Sequence, residues 1–458
     1  MTANSIKWIH MVGIAGAGMS GIAKVLLEQG IKVSGSDLQF SSTVQNLQQA
    51  GVIAYRGHSA ANMDVGIDLA VYSSAVPWDN EEIQWAVKNN IPVLKRGEML
   101  ARLVNDKNTV AVAGAHGKTT TSAMVYTVLE ECGVEPSFIV GGELQGTNIN
   151  ARLGNGDYFV VEADESDASF LELKPNIAVI TNIEDDHLDY YKSVDKIKAA
   201  FLQFVNQVNR DGFALLFSGD ENNCYIKENT DGRVILYGED AGCDYCLKNW
   251  LSTGTGSRFD VYKQDKIIGQ AEISVPGKHN AYNALAAIAV AWEKQLPWER
   301  IQAGIRKYRG AKRRFQVIGS SEKVLIVDDY AHHPTEIMAT IEAARHYHPA
   351  GRIVVVFQPH RYSRTKLLGR QLGEAFKQAD EVIITGIYSA GEKPLEGITG
   401  EIVFNAARDK GYQALYIPAL DEIESYLLKN MQADDLIITM GAGDIWKLGP
   451  ELLSKINH

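Results

Sequence analysis

The residues best placed to do chemistry are Gly114, His116, Gly117, Lys118, Thr119 and Thr120, in the run Val110-Ala-Val-Ala-Gly-Ala-His-Gly-Lys-Thr-Thr-Thr121. An apolar, β-favouring stretch passes into a loop of small residues, and Ser122–Glu131 reads as the helix that follows. Backbone amides of such a loop, with the helix N-terminus, form a cradle for phosphate oxygens. Lys118 would bring a point charge to the β- and γ-phosphates, and the Thr119 hydroxyl would ligate Mg²⁺. The spacing departs from the usual phosphate-loop pattern. Gly114 stands only three residues before Gly117, and Val112 occupies the place of the distant glycine. A plain strand–helix turn carrying an incidental Lys-Thr is the competing reading.

The elements around this loop must come from a large soluble chain. Its 458 residues suggest about three domains. Hydrophobic residues make up 45% and charged residues 22%, as in globular proteins. A net charge of −11 argues against nucleic acid as a partner. No apolar run is long enough to cross a bilayer, and Met1–His10 lacks the character of a signal peptide, so no membrane insertion and a cytoplasmic location are expected. Cys132, Cys224, Cys243 and Cys246 are too few for a disulfide scaffold, and Cys243/Cys246 lack a second pair at zinc-ribbon spacing.

A second glycine loop lies near the start. Residues 6–12 read as a strand, and Gly16, Gly18 and Gly21 fit G-x-G-x-x-G before a helix over Ile22–Gln29. A strand from Lys32 then ends at Asp37, where a ribose-binding carboxylate sits in a dinucleotide fold. The loop predicts a diphosphate-containing ligand without specifying which. His58 and the pair Ser73-Ser74 stand where they could line the crevice beyond the strand ends. Polar residues 105–108 mark the first boundary.

In the middle segment, a strand over Asp157–Ala163 carries Glu162 at its end, and Ile177–Thr181 leads into Asn182-Ile-Glu-Asp-Asp-His187. Carboxylates at strand ends beside a phosphate loop predict a Mg²⁺ role. Residues 213–275 alternate short β runs with turns and predict an antiparallel extension of the sheet. His279, Asn280 and Asn283 surround a helix start, where Asn280 reads either as an N-cap or as part of a site. The basic knot Lys312-Arg-Arg-Phe315 marks the second boundary. It reads as a solvated linker, or as a mobile cation opposite a triphosphate. Beyond it, four strands each end in polar or glycine-rich residues. His332-His333 with Asp328-Asp329 are poorly disposed for catalytic zinc, because neighbouring histidines project differently.

Together these runs resemble the Mur ligases, ATP-dependent amide-forming enzymes of peptidoglycan synthesis, over essentially the whole chain. The resemblance rests on Gly13-Ile-Ala-Gly-Ala-Gly-Met-Ser-Gly21, Ser34-Gly-Ser-Asp37, Gly114–Thr121, Glu162-Ala-Asp-Glu-Ser-Asp167 and Asn182–His187. It continues through His279-Asn-Ala-Tyr-Asn283, Lys312–Phe315, Asp328-Asp-Tyr-Ala-His-His-Pro334 and Pro359-His-Arg-Tyr-Ser-Arg364. The short phosphate loop is what this family shows.

The family implies an α/β architecture of three domains. These are a Rossmann-like UDP-sugar-binding domain (1–107), a central phosphate-loop ATP-binding domain (108–311) with a mostly parallel sheet plus an antiparallel extension, and a Rossmann-like amino-acid-binding domain (312–458). It implies that Gly13, Ala15, Gly16, Ala17, Gly18, Met19 and Ser20, with Asp37, His58, Ser73 and Ser74, bind a UDP-sugar rather than NAD. Lys118, Glu162 and His187 would be catalytic, with Thr119 and Glu162 on one Mg²⁺ and His187 on a second metal. His279, Asn280 and Asn283 would contact adenine, and Arg314 and Asp329 would close on the nucleotide. Tyr330, His332, His360, Arg361 and Arg364 would hold the amino acid.

The implied substrates are UDP-N-acetylmuramate, ATP and L-alanine, with a monomer or weak homodimer as the assembly. Some sister ligases support the second metal with a carbamylated lysine, and no such lysine is identifiable here. The rivals are a recycling ligase that uses a murein tripeptide, folylpolyglutamate synthase, an NAD-dependent dehydrogenase and a non-catalytic nucleotide switch. The dehydrogenase leaves the second phosphate loop unexplained, and the switch leaves Arg361 and Arg364 unexplained.

Overall fold

Apolar runs broken by glycine-rich turns become strands of three sheets in a computed structural model, which describes residues 6–321 and 324–456. The first sheet has the order β3-β2-β1-β4-β5. Its strands are β1 (Trp8–Val12), β2 (Lys32–Asp37), β3 (Ile53–Arg56), β4 (Leu69–Tyr72) and β5 (Val93–Lys95), all parallel. Helices α1 (Ala17–Glu28), α2 (Ser42–Gln49), α3 (Glu81–Lys88) and α4 (Arg96–Val104) connect them. This is the order of a nucleotide-binding half, with its crevice between the carboxyl ends of β1 and β4.

The central sheet begins with β6 (Asn108–Ala113), followed by α5 (Lys118–Glu131), β7 (Ser137–Ile139), β8 (Ala151–Arg152), β9 (Tyr158–Glu162) and β10 (Ile177–Ile180). Then come α6 (Leu188–Tyr191), α7 (Val194–Asn206), β11 (Phe213–Phe217), α8 (Glu221–Asn229) and β12 (Val234–Gly238). The phosphate-loop strand β6 lies between β9 and β10 and is parallel to both. The antiparallel extension starts later than the sequence suggests. β11 and β12 are parallel to their neighbours, because the crossover helix α8 returns the chain to the same edge. Only β13 (Tyr245–Ser252), β14 (Ser257–Lys263) and β15 (Lys266–Ile273) are joined by tight connections of the kind that antiparallel pairs use. The helices α9 (Lys278–Glu293) and α10 (Trp298–Lys307) follow.

The last sheet has the order β16-β17-β21-β18-β19-β20. It comprises β16 (Gln316–Ser320), β17 (Val324–Asp329), α11 (Pro334–Tyr347), β18 (Arg352–Phe357), α12 (Tyr362–Glu374), β19 (Glu381–Ile384), α13 (Glu401–Asp409), β20 (Ala414–Tyr416), α14 (Leu420–Asn430), β21 (Asp435–Met440) and α15 (Leu448–Ile456). Only β16 is antiparallel. Alternate residues feed opposite faces: Val327, Val355 and Ile438 pack into one core, and Ile326, Val354 and Ile437 into the other.

Chain contacts define two compact units. One comprises Met1–Lys248, Asp260–Gly269 and Tyr282–Lys307, and the other Asn249–Phe259, Gln270–Ala281 and Tyr308–His458. Within the first unit a single apolar core runs through both sheets, from Ile9, Met11 and Leu26 through Met99 and Val104 to Val161, Phe170 and Phe201. Gly21, the third glycine of the first loop, faces the central sheet. A Cβ there would come 2.8 Å from Ile139 Cγ2 and 3.4 Å from Ala151 Cβ. Among the described residues no helix is long and apolar enough to cross a membrane.

Candidate active site

β6 remains a buried strand through Val112, which pairs with Glu162 on one side and Val179 on the other. The loop therefore begins at Gly114, and this accounts for the short spacing. Gly114 (φ 137°) and Gly117 (φ 82°) occupy backbone conformations suited to glycine, and a Cβ at Gly114 would overlap Thr181 Oγ1. The Thr181-Asn182 pair clamps the loop. Asn182 Oδ1 accepts from the His116 amide at 2.8 Å, and Thr181 Oγ1 donates to the His116 carbonyl at 2.6 Å. α5 starts at Lys118 with Gly117 as its N-cap, which aims the first-turn amides at the space above the loop.

Lys118 Nζ donates to Glu165 Oε1 at 2.7 Å and to the carbonyls of Gly114 (2.5 Å) and Ala115 (3.2 Å). Burial alone would lower the ammonium pKa, but Glu165 and then Glu162 outweigh it and hold it above the ordinary lysine value. Glu162 Oε2 accepts from Thr119 Oγ1 at 2.9 Å and from the Gly141 amide at 2.6 Å. His187, at φ 58°, places Nε2 3.5 Å from Glu165 Oε1 and 3.6 Å from Asp186 Oδ2. Burial works to lower its pKa, but these carboxylates raise it overall. His116 Nε2 lies 3.4 Å from Glu184 Oε2. Asn283 is also drawn in: Thr121 Oγ1 donates to its Oδ1 at 3.1 Å, and a Cβ at Gly117 would come 2.9 Å from that oxygen. Thr120 is buried on α5.

In the sequence Glu165 reads only as part of an acidic run. It is 3% exposed, and its Oε2 has no hydrogen-bond partner. It is one of two carboxylates, three residues apart, that follow a buried strand and face Lys118 and Thr119.

In the first sheet, the glycine loop is held from below. Asp37 Oδ2 accepts from the Ala15 amide at 2.9 Å, and the Gly13 and Ile14 amides donate to the Ser36 carbonyl. Asp37 thus fastens the loop with one carboxylate oxygen and accepts from the Gln39 amide with the other. Gly16 is the N-cap of α1, and Ala17 and Gly18 open its first turn. The Met19 side chain is buried, and Ser20 Oγ donates to the Ala17 carbonyl, so these two have only backbone amides to offer a ligand. Ser73 packs on Gly13, where a Cβ would come 3.0 Å from Ser73 Cβ, and Ser74 follows it, exposed. Arg96 stands against Gly18 and reaches Asp164 (3.0 Å) and Ser169 Oγ (2.9 Å). Burial would raise the Asp164 pKa, but Arg96 and further hydrogen bonds leave it lowered.

The second unit carries the remaining candidates. α9 begins at Lys278, so Asn280 lies inside the helix. Its Nδ2 donates to the Pro276 carbonyl at 2.6 Å, whereas an N-cap side chain would accept, so of the two readings the N-cap is the one that falls. Burial, and then Arg314, push the His279 pKa down to about 4, leaving a neutral imidazole. The basic knot also divides. Arg313, expected to be solvated, donates to Asp328 (3.1 Å) and to the carbonyls of Gly441 (2.5 Å) and Gly443 (3.3 Å), anchoring the linker to its sheet. Arg314 reaches Glu336 at 3.4 Å. Asp329 accepts from the Phe315 and Ala331 amides, and burial, offset in part by Arg314, raises its carboxyl to about 6.

Tyr330, His332 and His360 assemble edge to face, with ring centroids 5.3 and 6.0 Å apart. Tyr388, which the sequence did not single out, stacks on His360 at 5.7 Å. Burial, then Arg364 and Arg361, lower the His360 pKa to about 4. Arg361 is the N-cap of α12 at φ 66°, ψ 139°, and its amide donates to the Tyr388 carbonyl at 2.8 Å.

Comparisons with known proteins cover the chain that carries these residues. The model for the Mur ligase family, catalytic domain, matches residues 8–108; the Mur ligase middle domain matches 112–291; and the Mur ligase, glutamate ligase domain matches 313–443. A UDP-N-acetylmuramate–L-alanine ligase of Syntrophomonas wolfei is 62% identical, with 98% of this chain and 97% of that protein aligned. One from Desulforamulus reducens is 47% identical, over 99% and 98%. The crystal structure of the UDP-N-acetylmuramate–alanine ligase of Thermotoga maritima superimposes with a TM-score of 0.85 at 29% identity, covering 98% of this chain and 99% of that one. The murein peptide ligase of Psychrobacter arcticus gives 0.73 at 25% identity, with 99% of each chain covered. Three family models in succession and relatives aligned from end to end show that the chain belongs to the Mur ligase family.

Proposed function

We infer that this protein is an ATP-dependent ligase joining L-alanine to the lactyl carboxylate of UDP-N-acetylmuramate, giving UDP-N-acetylmuramoyl-L-alanine, ADP and phosphate. The observation that carries the reading is the Gly114–Gly117 cradle with Lys118 and Glu162 converging on it. It is supported by full-length relatives of that name. The domain boundaries are placed at 107/108 and 311/312. The substrates are small molecules used in the cytoplasm, and the protein acts as a monomer or weak homodimer.

ATP transfers its γ-phosphoryl group to the carboxylate, giving an acyl phosphate and ADP. The amine of L-alanine attacks the acyl carbon and loses a proton, and phosphate leaves with the C–O electron pair. The first step brings a carboxylate to a polyanion. Lys118 and the amides of Gly114, Gly117, Thr119 and Thr120 offset that repulsion, in a loop preorganised by the Thr181-Asn182 clamp, which takes up the His116 amide. The Thr119 hydroxyl and Glu162 carboxylate, both hard oxygen donors 2.9 Å apart, fit Mg²⁺, and His187 is the candidate for a second ion. Mg²⁺ supplies charge neutralisation at the phosphates. The resemblance assigns His279, Asn280 and Asn283 to adenine and Arg314 and Asp329 to the nucleotide. It assigns Tyr330, His332, His360, Arg361 and Arg364 to L-alanine, and Gly13 to Ser20, Asp37, His58, Ser73 and Ser74 to the UDP-sugar.

The test is phosphate release from ATP with UDP-N-acetylmuramate and L-alanine, the murein tripeptide, or neither. Release with L-alanine is expected. Release only with tripeptide would assign the recycling reaction, and release with neither would leave a nucleotide hydrolase.

A further inference from the structure

Beneath the first sheet's crevice lies a buried chain of polar side chains that the ligation chemistry does not use. Glu82 on α3 is 0% exposed, as are His10, Ser34 and Ser36. Its Oε1 accepts from Asn62 Nδ2 (2.6 Å) and the Ser59 amide (3.1 Å), and its Oε2 from Ser36 Oγ (2.5 Å) and His10 Nε2 (3.4 Å). Burial would raise this carboxyl, but the hydrogen bonds of His10, Ser36 and Asn62 bring it down to about 2, so it is an anion with no proton to give. The directions of the remaining bonds follow. Ser36 has one hydroxyl proton, and it goes to Glu82. The 2.8 Å contact between Ser36 Oγ and His58 Nδ1 is then made by a proton on Nδ1. On the other side, Trp8 Nε1 can only donate, so Ser34 accepts from it at 2.8 Å and gives its own proton to His10 Nδ1 at 2.9 Å, leaving His10 Nε2–H for Glu82.

We propose that Glu82, acting through Ser36 and directly from 3.6 Å, is a positioning residue that keeps a proton on His58 Nδ1, so that Nε2 is presented as an acceptor for a nucleoside donor. His58 follows β3, the neighbour of the strand that ends in Asp37, and its side chain is 14% exposed. The acceptor selects a pyrimidine imide N3–H or a ribose hydroxyl. The inference rests on the reading that this crevice takes a nucleoside diphosphate.

Two measurements separate the inference from that reading. In ¹⁵N-histidine-labelled full-length protein, His58 should show a pyrrole-like Nδ1 and a pyridine-like Nε2 at pH 8. Ser36→Ala and Glu82→Gln should shift it toward the opposite tautomer. Ser36→Ala deletes one oxygen and serves should Glu82→Gln fail to fold. A wild-type His58 carrying its proton on Nε2 overturns the proposal. In calorimetry with UDP, Ser36→Ala should weaken binding about tenfold, and in the ligation assay it should raise KM for the UDP-sugar with kcat little changed. Equal UDP affinity for wild type and Ser36→Ala overturns the proposal, whereas a wild type that does not bind UDP overturns the reading beneath it. N3-methyl-UDP and 2′-deoxy-UDP identify the donor, since the matching analogue should lose the difference between wild type and variant. A difference that survives both analogues also overturns the proposal.

Discussion

Lys118 and Glu165 form a 2.7 Å ion pair at the floor of the phosphate cradle, with both side chains largely removed from solvent. Glu165 therefore holds the ammonium against its own loop, where it donates to the Gly114 and Ala115 carbonyls. Lys118→Ala should abolish ligation while leaving UDP-sugar binding intact. Because it takes the nearest cation from the buried Glu165 and leaves it His187 at 3.5 Å, it should also cost roughly 3 kcal/mol of stability. Lys118→Ala/Glu165→Gln should recover much of that stability and none of the activity. Urea unfolding and phosphate release measure the two effects, and a single variant as stable as wild type would refute the pairing.

Adjacent arginines should separate stability from catalysis. Arg313→Ala leaves Asp328, 1% exposed, without its guanidinium and should destabilise the fold by roughly 3 kcal/mol in urea unfolding. Arg314→Ala should leave the unfolding midpoint nearly unchanged and lower kcat/KM for ATP at least tenfold. Equal effects at both positions would mean that the knot acts as one surface.

Arg361 carries its side chain on a backbone conformation that favours glycine. Arg361→Ala should raise KM for L-alanine at least tenfold with the strain retained. Arg361→Gly should raise it as much but melt higher than the alanine variant, by the equivalent of about 1 kcal/mol. Identical melting temperatures would show that the loop carries no strain.

Acid stability should report Glu82. Its carboxyl is lowered from an ordinary 4.5 to about 2, so its contribution is fully present above pH 4.5 and is lost as pH falls through about 2. That contribution is roughly 3 kcal/mol. Glu82→Gln should flatten stability against pH in that window. An unchanged acid limb in circular dichroism would place the acid sensitivity elsewhere.

The sequence made both glycine loops legible because each is local: a strand, a run of small residues and a helix start are contiguous. The acidic strand ends could likewise be placed beside Lys118 once the sheet was taken as parallel. Other features depend on long-range pairing. Glu82 lies 46 residues from Ser36 and 72 from His10, and nothing about an acidic residue in the first turn of a helix announces that it is buried. Arg313 and Arg314 are alike in type, and they are told apart by distant partners, Asp328, Gly441 and Gly443 for the first and Glu336 for the second. Tyr388 lies in a glycine-containing loop whose pairing with His360 is a bridge between distant segments. The sequence pattern starts the antiparallel extension too early because short β runs separated by turns read alike whether a helix or a tight turn joins them.

The shared core of the first unit bears on how the protein can be taken apart. Gly21 meets Ile139, Asn150 donates to the Ala17 carbonyl at 3.1 Å, and Arg96 grips Asp164. A cut at residue 107 would expose the apolar face of α1 that β7 and β8 cover and the face of α4 that packs on the turn Ser169–Glu172. For chimera building, the glycine loop and the phosphate loop are a single heritable cassette. A recombinant that exchanges residues 1–107 alone should need compensating changes at 139, 150 and 151, where the graft would meet a foreign surface.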